Sequence, residues 1–263
     1  MVTILAVAGF VCLYYGNTGS SWLLSALASS REVFMTGFES VERWAWDVPV
    51  EERLAWLETA MTPPEDRTGS EFEYWFESLR ASPQVKQEPM NPNFTYTCLK
   101  MADLPVEDTD GVIDVIDGTG AKAIHLVRNN RLKHALSLYR YHDEQKSQFH
   151  GKDEYPPTKV NFVKFEKWLE ESARLHEQAM GVREECMERL GPERVFPLAY
   201  EEFLDEPAKN DVLDRLAAFF DIPAEFAEGK FTKATPDSLR EAISNYKTFR
   251  LRYRFTPHAK YLD

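Results

Sequence analysis

The segment that most constrains this chain is its start. Residues 2–15, VTILAVAGFVCLYY, are almost wholly apolar and rich in Val, Leu and Tyr, and they stop at Gly16. A continuous run of this kind, without polar alternation, is how a strand buried on both faces of a parallel sheet reads. A signal peptide would carry a basic segment ahead of the apolar one, and here there is none. The run is also shorter than the ~20 residues a spanning helix needs. We therefore expect a cytoplasmic protein with no membrane span. Cys12, Cys98 and Cys186 are far apart and form no CxxC or Cys/His zinc spacing, so they read as reduced thiols. The net charge of −12 excludes general binding to nucleic acid, which needs a basic surface.

The rest of the chain alternates strand and helix patterns. After NTGSS, the residues WLLSALASS place Trp22, Leu23, Ala26 and Leu27 on one helical face. EVFMTG (32–37), FTYTCLKM (94–101), AIHLV (123–127) and VFPLAY (195–200) read as strands. Residues 50–61, 70–80, 132–142, 160–190, 210–220 and 236–246 read as helices, and 108–117 fits either state. Strands alternating with helices imply an α/β protein with a central parallel sheet flanked by helices. With 263 residues and no internal repeat, a single domain is expected.

Two stretches carry polar chemistry. In the first, a buried strand meets a helix through Gly16-Asn17-Thr18-Gly19-Ser20-Ser21. Such a turn exposes backbone N–H groups at a helix N-terminus and so suits an anion. The nucleotide triphosphatase pattern GxxxxGK[ST] is absent, because no Lys follows Gly19. In the second, HLVRNNRLKHALSLYR (125–140), Arg128 leaves the carboxyl end of a strand and Ser137 lies in the following helix. Ligands of open α/β sheets bind at that end, and an Arg fork with a hydroxyl suits a phosphate monoester. Taken singly, each residue is equally well an ordinary turn, edge or helix residue.

Together the two stretches resemble the sulfotransferases that use 3′-phosphoadenosine-5′-phosphosulfate (PAPS). The family's loop, close to [R/K]xG[ST]TxL, corresponds to Asn17-Thr18-Gly19-Ser20-Ser21-Trp22-Leu23. Its LxR strand end and helix Ser correspond to Leu126-Val127-Arg128 and Ser137. The run LVRNNRLKHALSLYR looks most like the bacterial carbohydrate enzymes of the trehalose and Nod-factor type. AYEEFLDEP (199–207) is similar to the family's YEDL-type strand end. KFTKATPDSLREAISNYKTFR (230–250) looks like its Lys-containing C-terminal loop and Asn-Tyr helix. The resemblance implies a P-loop-like fold, PAPS as donor with 3′-phosphoadenosine-5′-phosphate (PAP) as product, and a small-molecule or carbohydrate acceptor. It places the 5′-phosphosulfate on residues 17–22 and the 3′-phosphate on Arg128 and Ser137, with no metal.

Two positions depart from the family. Asn17 stands where the loop usually has Arg or Lys, so Lys100, Lys230 or Lys233 would supply the missing cation. Eight residues separate Arg128 from Ser137, one more than in many members. Residues 229–263 carry a net charge of +5 and the remainder −17, so the basic C-terminal segment suits either a clamp over an anionic nucleotide or docking on its own acidic body. The family often has a carboxylate just after its second strand. This makes Glu39 the first candidate for the base and Glu42 the second; both equally suit the first turn of a helix. Lys100 resembles a family Lys at a strand end, where it would stabilise the leaving oxygen. Trp44, Trp46, Trp75 and Phe76 are candidates for an acceptor pocket or for core. A P-loop nucleotide kinase or hydrolase, and a non-catalytic nucleotide-binding protein of the same fold, are the alternative functions.

Overall fold

The computed structural model describes residues 8–16, 18–35, 49–62, 70–71, 73–74, 96–102, 109–144, 156–226, 236 and 238–262. Within these residues, five strands form one sheet: β1 (Ala8–Tyr14), β2 (Val33–Met35), β3 (Tyr96–Ala102), β4 (Lys122–Val127) and β5 (Val195–Ala199). Their order is β2-β3-β1-β4-β5, and every pairing is parallel. The apolar N-terminal run thus supplies the central strand, the place where burial on both faces is required. Pro197, which cannot donate to a ladder, sits in the edge strand β5.

The helices are α1 (Ser20–Leu27), α2 (Val50–Met61), α3 (Thr109–Gly118), α4 (Arg131–His142), α5 (Phe162–Leu190), α6 (Glu206–Phe220), α7 (Leu239–Ala242) and α8 (Tyr246–Tyr253). Alternate residues of β1 feed the two faces. Phe10, Cys12 and Tyr14 pack with Leu23, Leu24 and Leu27 of α1 and with Val212, Leu216 and Phe220 of α6. Val11 and Leu13 pack with Leu57 of α2, Ile113 and Ile116 of α3, and Val182 and Cys186 of α5. This two-sided arrangement is the α/β fold class that the strand–helix alternation implies. A third cluster joins α4 and α5 to the C-terminal segment through Leu132, Phe165, Leu239 and Phe249.

Several boundaries differ from expectation. The ambiguous stretch 108–117 is the helix α3, whose Val112, Ile113 and Ile116 are buried along one side. Residues 236–246 do not form one helix. Helix α7 ends at Ala242, Ile243 is extended, and Thr158 and Ile243 form an isolated parallel bridge. The reason is local competition for backbone partners. Thr158 N donates to Ala242 O and Ser244 N donates to Thr158 O, both at 2.9 Å, while the Asn245 side chain pairs with Val160 N and O. Helix α6 begins at Glu206, earlier than expected, because Asp205 caps it through Ala208 N. Strand β3 runs on past Lys100 to Ala102.

Candidate functional site

The chain passes from β1 to β2 on one side of the sheet, while β4 lies on the other side of β1. The carboxyl ends of β1 and β4 therefore flank the crevice where open α/β sheets bind ligands. The loop after β1 enters α1 through Gly19, whose φ of 83° is in the left-handed region. A Cβ at Gly19 would also stand 2.5 Å from the Tyr200 ring, so the position needs glycine twice over. Gly19 O accepts from Trp22 N and Leu23 N, and the first turn of α1 holds no acidic side chain to neutralise the helix N-terminus. Thr18 is fully buried and its hydroxyl donates to Tyr15 O at 2.9 Å, so that hydroxyl braces the turn. Ser20 is buried and Ser21 half-buried. The Trp22 ring stacks on Phe203 with centroids 5.1 Å apart, and Lys209 Nζ lies 5.5 Å from the Trp22 ring centroid.

Arg128 follows β4 directly. Its backbone is held by one side chain from β1's end: Tyr15 Oη donates to Arg128 O and accepts from Arg128 N, both at 2.8 Å. Burial pushes the Tyr15 phenol above its ordinary pKa, so it stays a neutral donor. The Arg128 guanidinium lies over the Tyr200 ring, 4.5 Å from its centroid. Tyr200 therefore touches both halves of the site, Gly19 on one side and Arg128 on the other. Glu201 accepts from Asn129 N and Asn130 N at 2.9 and 2.8 Å, and the Asn130 side chain caps α4 through Lys133 N. The N-terminus of α4 thus already holds a carboxylate.

His134, on α4, completes the join between loop and strand end. Its Nε2 lies 2.8 Å from Gly16 O and its Nδ1 lies 2.7 Å from Ser172 Oγ. Burial first, and the Arg128 charge second, lower its pKa to about 3. The ring is therefore neutral, donating from Nε2 to Gly16 O and accepting at Nδ1 from Ser172.

Arg128 and Ser137 line one small, solvent-open hollow. Lys133, Leu136, Ser137 and Arg140 of α4 form one of its walls, a stripe at helical spacing, and Ser238 and Leu239 face them from the C-terminal segment. Among the described residues, the lining contains three cations, two hydroxyls and no carboxylate. Such a hollow holds an anion by Coulomb attraction and by hydrogen bonds from guanidinium and hydroxyl. Lys133, Arg140 and Ser238 had no place in the sequence-based site. The i, i+4, i+7 spacing of residues 133, 137 and 140 was the available signal.

Other expected site residues are not brought into view. Asn17, Glu39, Glu42, Lys230 and Lys233 lie outside the described residues, as do Trp44, Trp46, Trp75 and Phe76. Lys100 is described as backbone only, paired with Cys12 in the ladder. Among the described residues no group of His, Cys, Asp or Glu could hold a metal ion, and no helix is long and apolar enough to cross a membrane.

The site is thus a crevice at the carboxyl edge of a parallel α/β sheet, built from a strand–loop–helix and an adjoining cationic hollow. Solved structures to which the chain is similar include a sulfotransferase from Alicyclobacillus acidocaldarius, at 16% identity and TM-score 0.47, covering 98% of this chain and 97% of that one. Others are the sulfotransferase domain of the curacin biosynthetic pathway, at 16% identity and TM-score 0.45 over 90% and 82% of the two chains, and mouse sulfotransferase SULT7A1 complexed with PAP, at 13% identity and TM-score 0.41 over 96% and 80%. No protein-family model and no curated protein sequence matches the chain.

Proposed function

We propose that this chain is a PAPS-dependent sulfotransferase acting on a hydroxyl or amine of a small-molecule or carbohydrate acceptor. The observation that carries the reading is the meeting of Arg128 and Ser137, nine positions apart in sequence, in one cationic hollow. That hollow adjoins a loop tied to it by Tyr15 and His134. The residues present fit the donor's two anionic ends. Arg128 and Ser137 hold the 3′-phosphate, and the amides of residues 17–21 with the hydroxyls of Ser20 and Ser21 hold the 5′-phosphosulfate. Trp22 borders the nucleotide, and Lys100, Lys230 or Lys233 supplies the cation that Asn17 does not. PAPS brings an activated sulfuryl group whose bond to phosphate breaks as the acceptor oxygen or nitrogen bonds to sulfur. The acceptor's proton goes to Glu39, the base in this reading, and the Lys100 charge stabilises the leaving oxygen.

The 263 residues act as one domain with a basic C-terminal segment, and the chain works in the cytoplasm. The buried thiol of Cys186 supports that placement; burial pushes it up to about 12, which leaves it inert. Calorimetry with PAP and adenosine 5′-phosphate tests the donor. PAP should bind much more tightly, and Arg128→Ala should remove about 1.5–3 kcal/mol of that preference. Glu39→Gln should lower sulfate transfer by ~10²–10⁴-fold while sparing PAP binding. Equal affinity of the unaltered protein for the two nucleotides would sink the reading.

A further inference from the structure

Large apolar side chains stand in solvent where α5 and α8 meet. Of the five so exposed among the described residues, three are Val163, Leu251 and Phe255, at 85%, 58% and 84% exposure. Val163 lies in the first turn of α5, Leu251 on α8 and Phe255 just after it. The two helices are joined by their side chains. Phe249 and Tyr253 of α8 pack on Phe165 of α5, and Arg252 Nε donates to Glu166 at 2.8 Å. Burial of Phe249 and Tyr253 fixes which way α8 faces. Leu251 stands about 200° round the helix from each of them, at the pole that meets solvent.

The same segment is basic throughout. Residues 246–262 contain Lys247, Arg250, Arg252, Arg254 and Lys260 and no Asp or Glu. Arg252 is matched by Glu166, so here the basic segment does dock on the chain's own acidic body. The other four are exposed, and none forms an ion pair among the described residues. Cations alone would suit any polyanion, but a polyanion would leave Val163, Leu251 and Phe255 in water. A bilayer with anionic headgroups takes both kinds of group. The apolar side chains enter the acyl boundary, while the Lys and Arg stems lie along it and end at the phosphates.

We propose that the α5–α8 end is a docking surface for an anionic phospholipid bilayer, held at the interface without spanning it. The charge of the whole chain orients the contact. Residues 229–263 carry +5 and the remainder −17. An anionic plane draws this end in and holds the remainder off, and charges farther away than the screening length of about 8 Å act little on the contact. A second copy is the poorer occupant, because two chains at −12 each repel as they approach. The inference uses neither the donor nor the hollow, so it stands apart from the proposed transfer reaction.

The test is co-sedimentation of the full chain with vesicles of phosphatidylcholine alone and of phosphatidylcholine mixed with phosphatidylglycerol. The protein should bind the mixed vesicles and leave the neutral ones. Replacing three cations together, Lys247→Gln, Arg250→Gln and Arg254→Gln, should lower binding to the mixed vesicles about a hundredfold, at about fivefold per cation. Leu251→Ser with Phe255→Ser should lower it about tenfold or more. All five side chains are exposed, so urea unfolding of both variants should match the unaltered protein. No binding to the mixed vesicles overturns the proposal, and so does binding that the triple variant retains in full or that neutral vesicles match. If the mixed vesicles stay unbound while light scattering shows a dimer that Phe255→Ser dissolves, a second copy covers this face and the bilayer is ruled out.

Discussion

Gly19 concentrates the demands of the site in one residue. Its φ of 83° would cost an alanine about 1–2 kcal/mol in left-handed strain alone. The added Cβ would meet the Tyr200 ring at 2.5 Å, and that ring lies under the Arg128 guanidinium. Gly19→Ala should therefore disturb both anion subsites at once. We expect a loss of at least ~1–2 kcal/mol in urea unfolding and weaker binding of PAP by calorimetry. Unchanged stability and unchanged affinity together would show that the loop relaxes away from Tyr200. At this scale the sequence was informative where a residue's own chemistry marked it. Gly19 in a small-residue turn and Arg128 at a strand end stand out in one dimension. Arg140 does not, because it reads as a solvated cation near a helix end. Its burial is created by Thr158 and Ala242, 18 and 102 positions away, and no local pattern encodes those contacts. Thr18 shows the converse: its hydroxyl suits a phosphate, and the turn uses it for Tyr15 O instead.

Among the elements, α4 carries most of the site's architecture. One of its faces presents Lys133, Ser137 and Arg140 to the hollow, while His134 reaches Gly16 O and Ser172. The helix thus sets the distance between the loop after β1 and the wall of the hollow. His134→Phe keeps an aromatic ring of similar size and removes both hydrogen bonds, including the one to the half-buried Gly16 carbonyl. Each lost hydrogen bond should cost about 0.5–1.5 kcal/mol, read by urea unfolding, and PAP affinity should fall because the loop loses its brace. Stability lost with affinity intact would mean that the loop is positioned by its own turn. Elements with strong end signals were readable beforehand. Helix α5 is capped at its start by Asn161 and closed by Gly191, whose φ is 83°. The C-terminal segment was not readable in this way. SLREAISN has helical periodicity, and the break at Ile243 comes from the pairing with Thr158, more than eighty residues upstream.

For the molecule as a whole, the buried histidines set how stability should respond to acid. His125 accepts from Arg183 Nε at 3.1 Å, and burial followed by the Arg183 charge lowers its pKa to about 3. His134 is likewise lowered to about 3. His176, less buried, is lowered to about 4 by burial and by Arg131 and Arg183. In the unfolded chain each titrates near its ordinary value of ~6.5. The unfolded state therefore binds protons that the folded state refuses, so stability is complete above about pH 6.5 and falls as the pH drops toward the folded values. His125 and His134 each contribute a slope approaching ~1.4 kcal/mol per pH unit once the unfolded chain is protonated. The half-buried His176 adds a smaller, solvent-screened share. The part of this loss that falls between about pH 6.5 and 5 lies above the range in which the carboxylates of this acidic chain take up protons. Urea unfolding at half-unit steps from pH 7.5 to 5 should show a steep decline. His134→Phe, less stable at pH 7.5, should lose stability more slowly on acidification, by about one proton's worth of slope. The two curves should converge as the pH falls, because the variant lacks one group that must be charged on unfolding. Parallel curves would mean that His134 binds its proton equally well folded and unfolded, and the neutral Nε2–H that holds the Gly16 carbonyl would have to be abandoned.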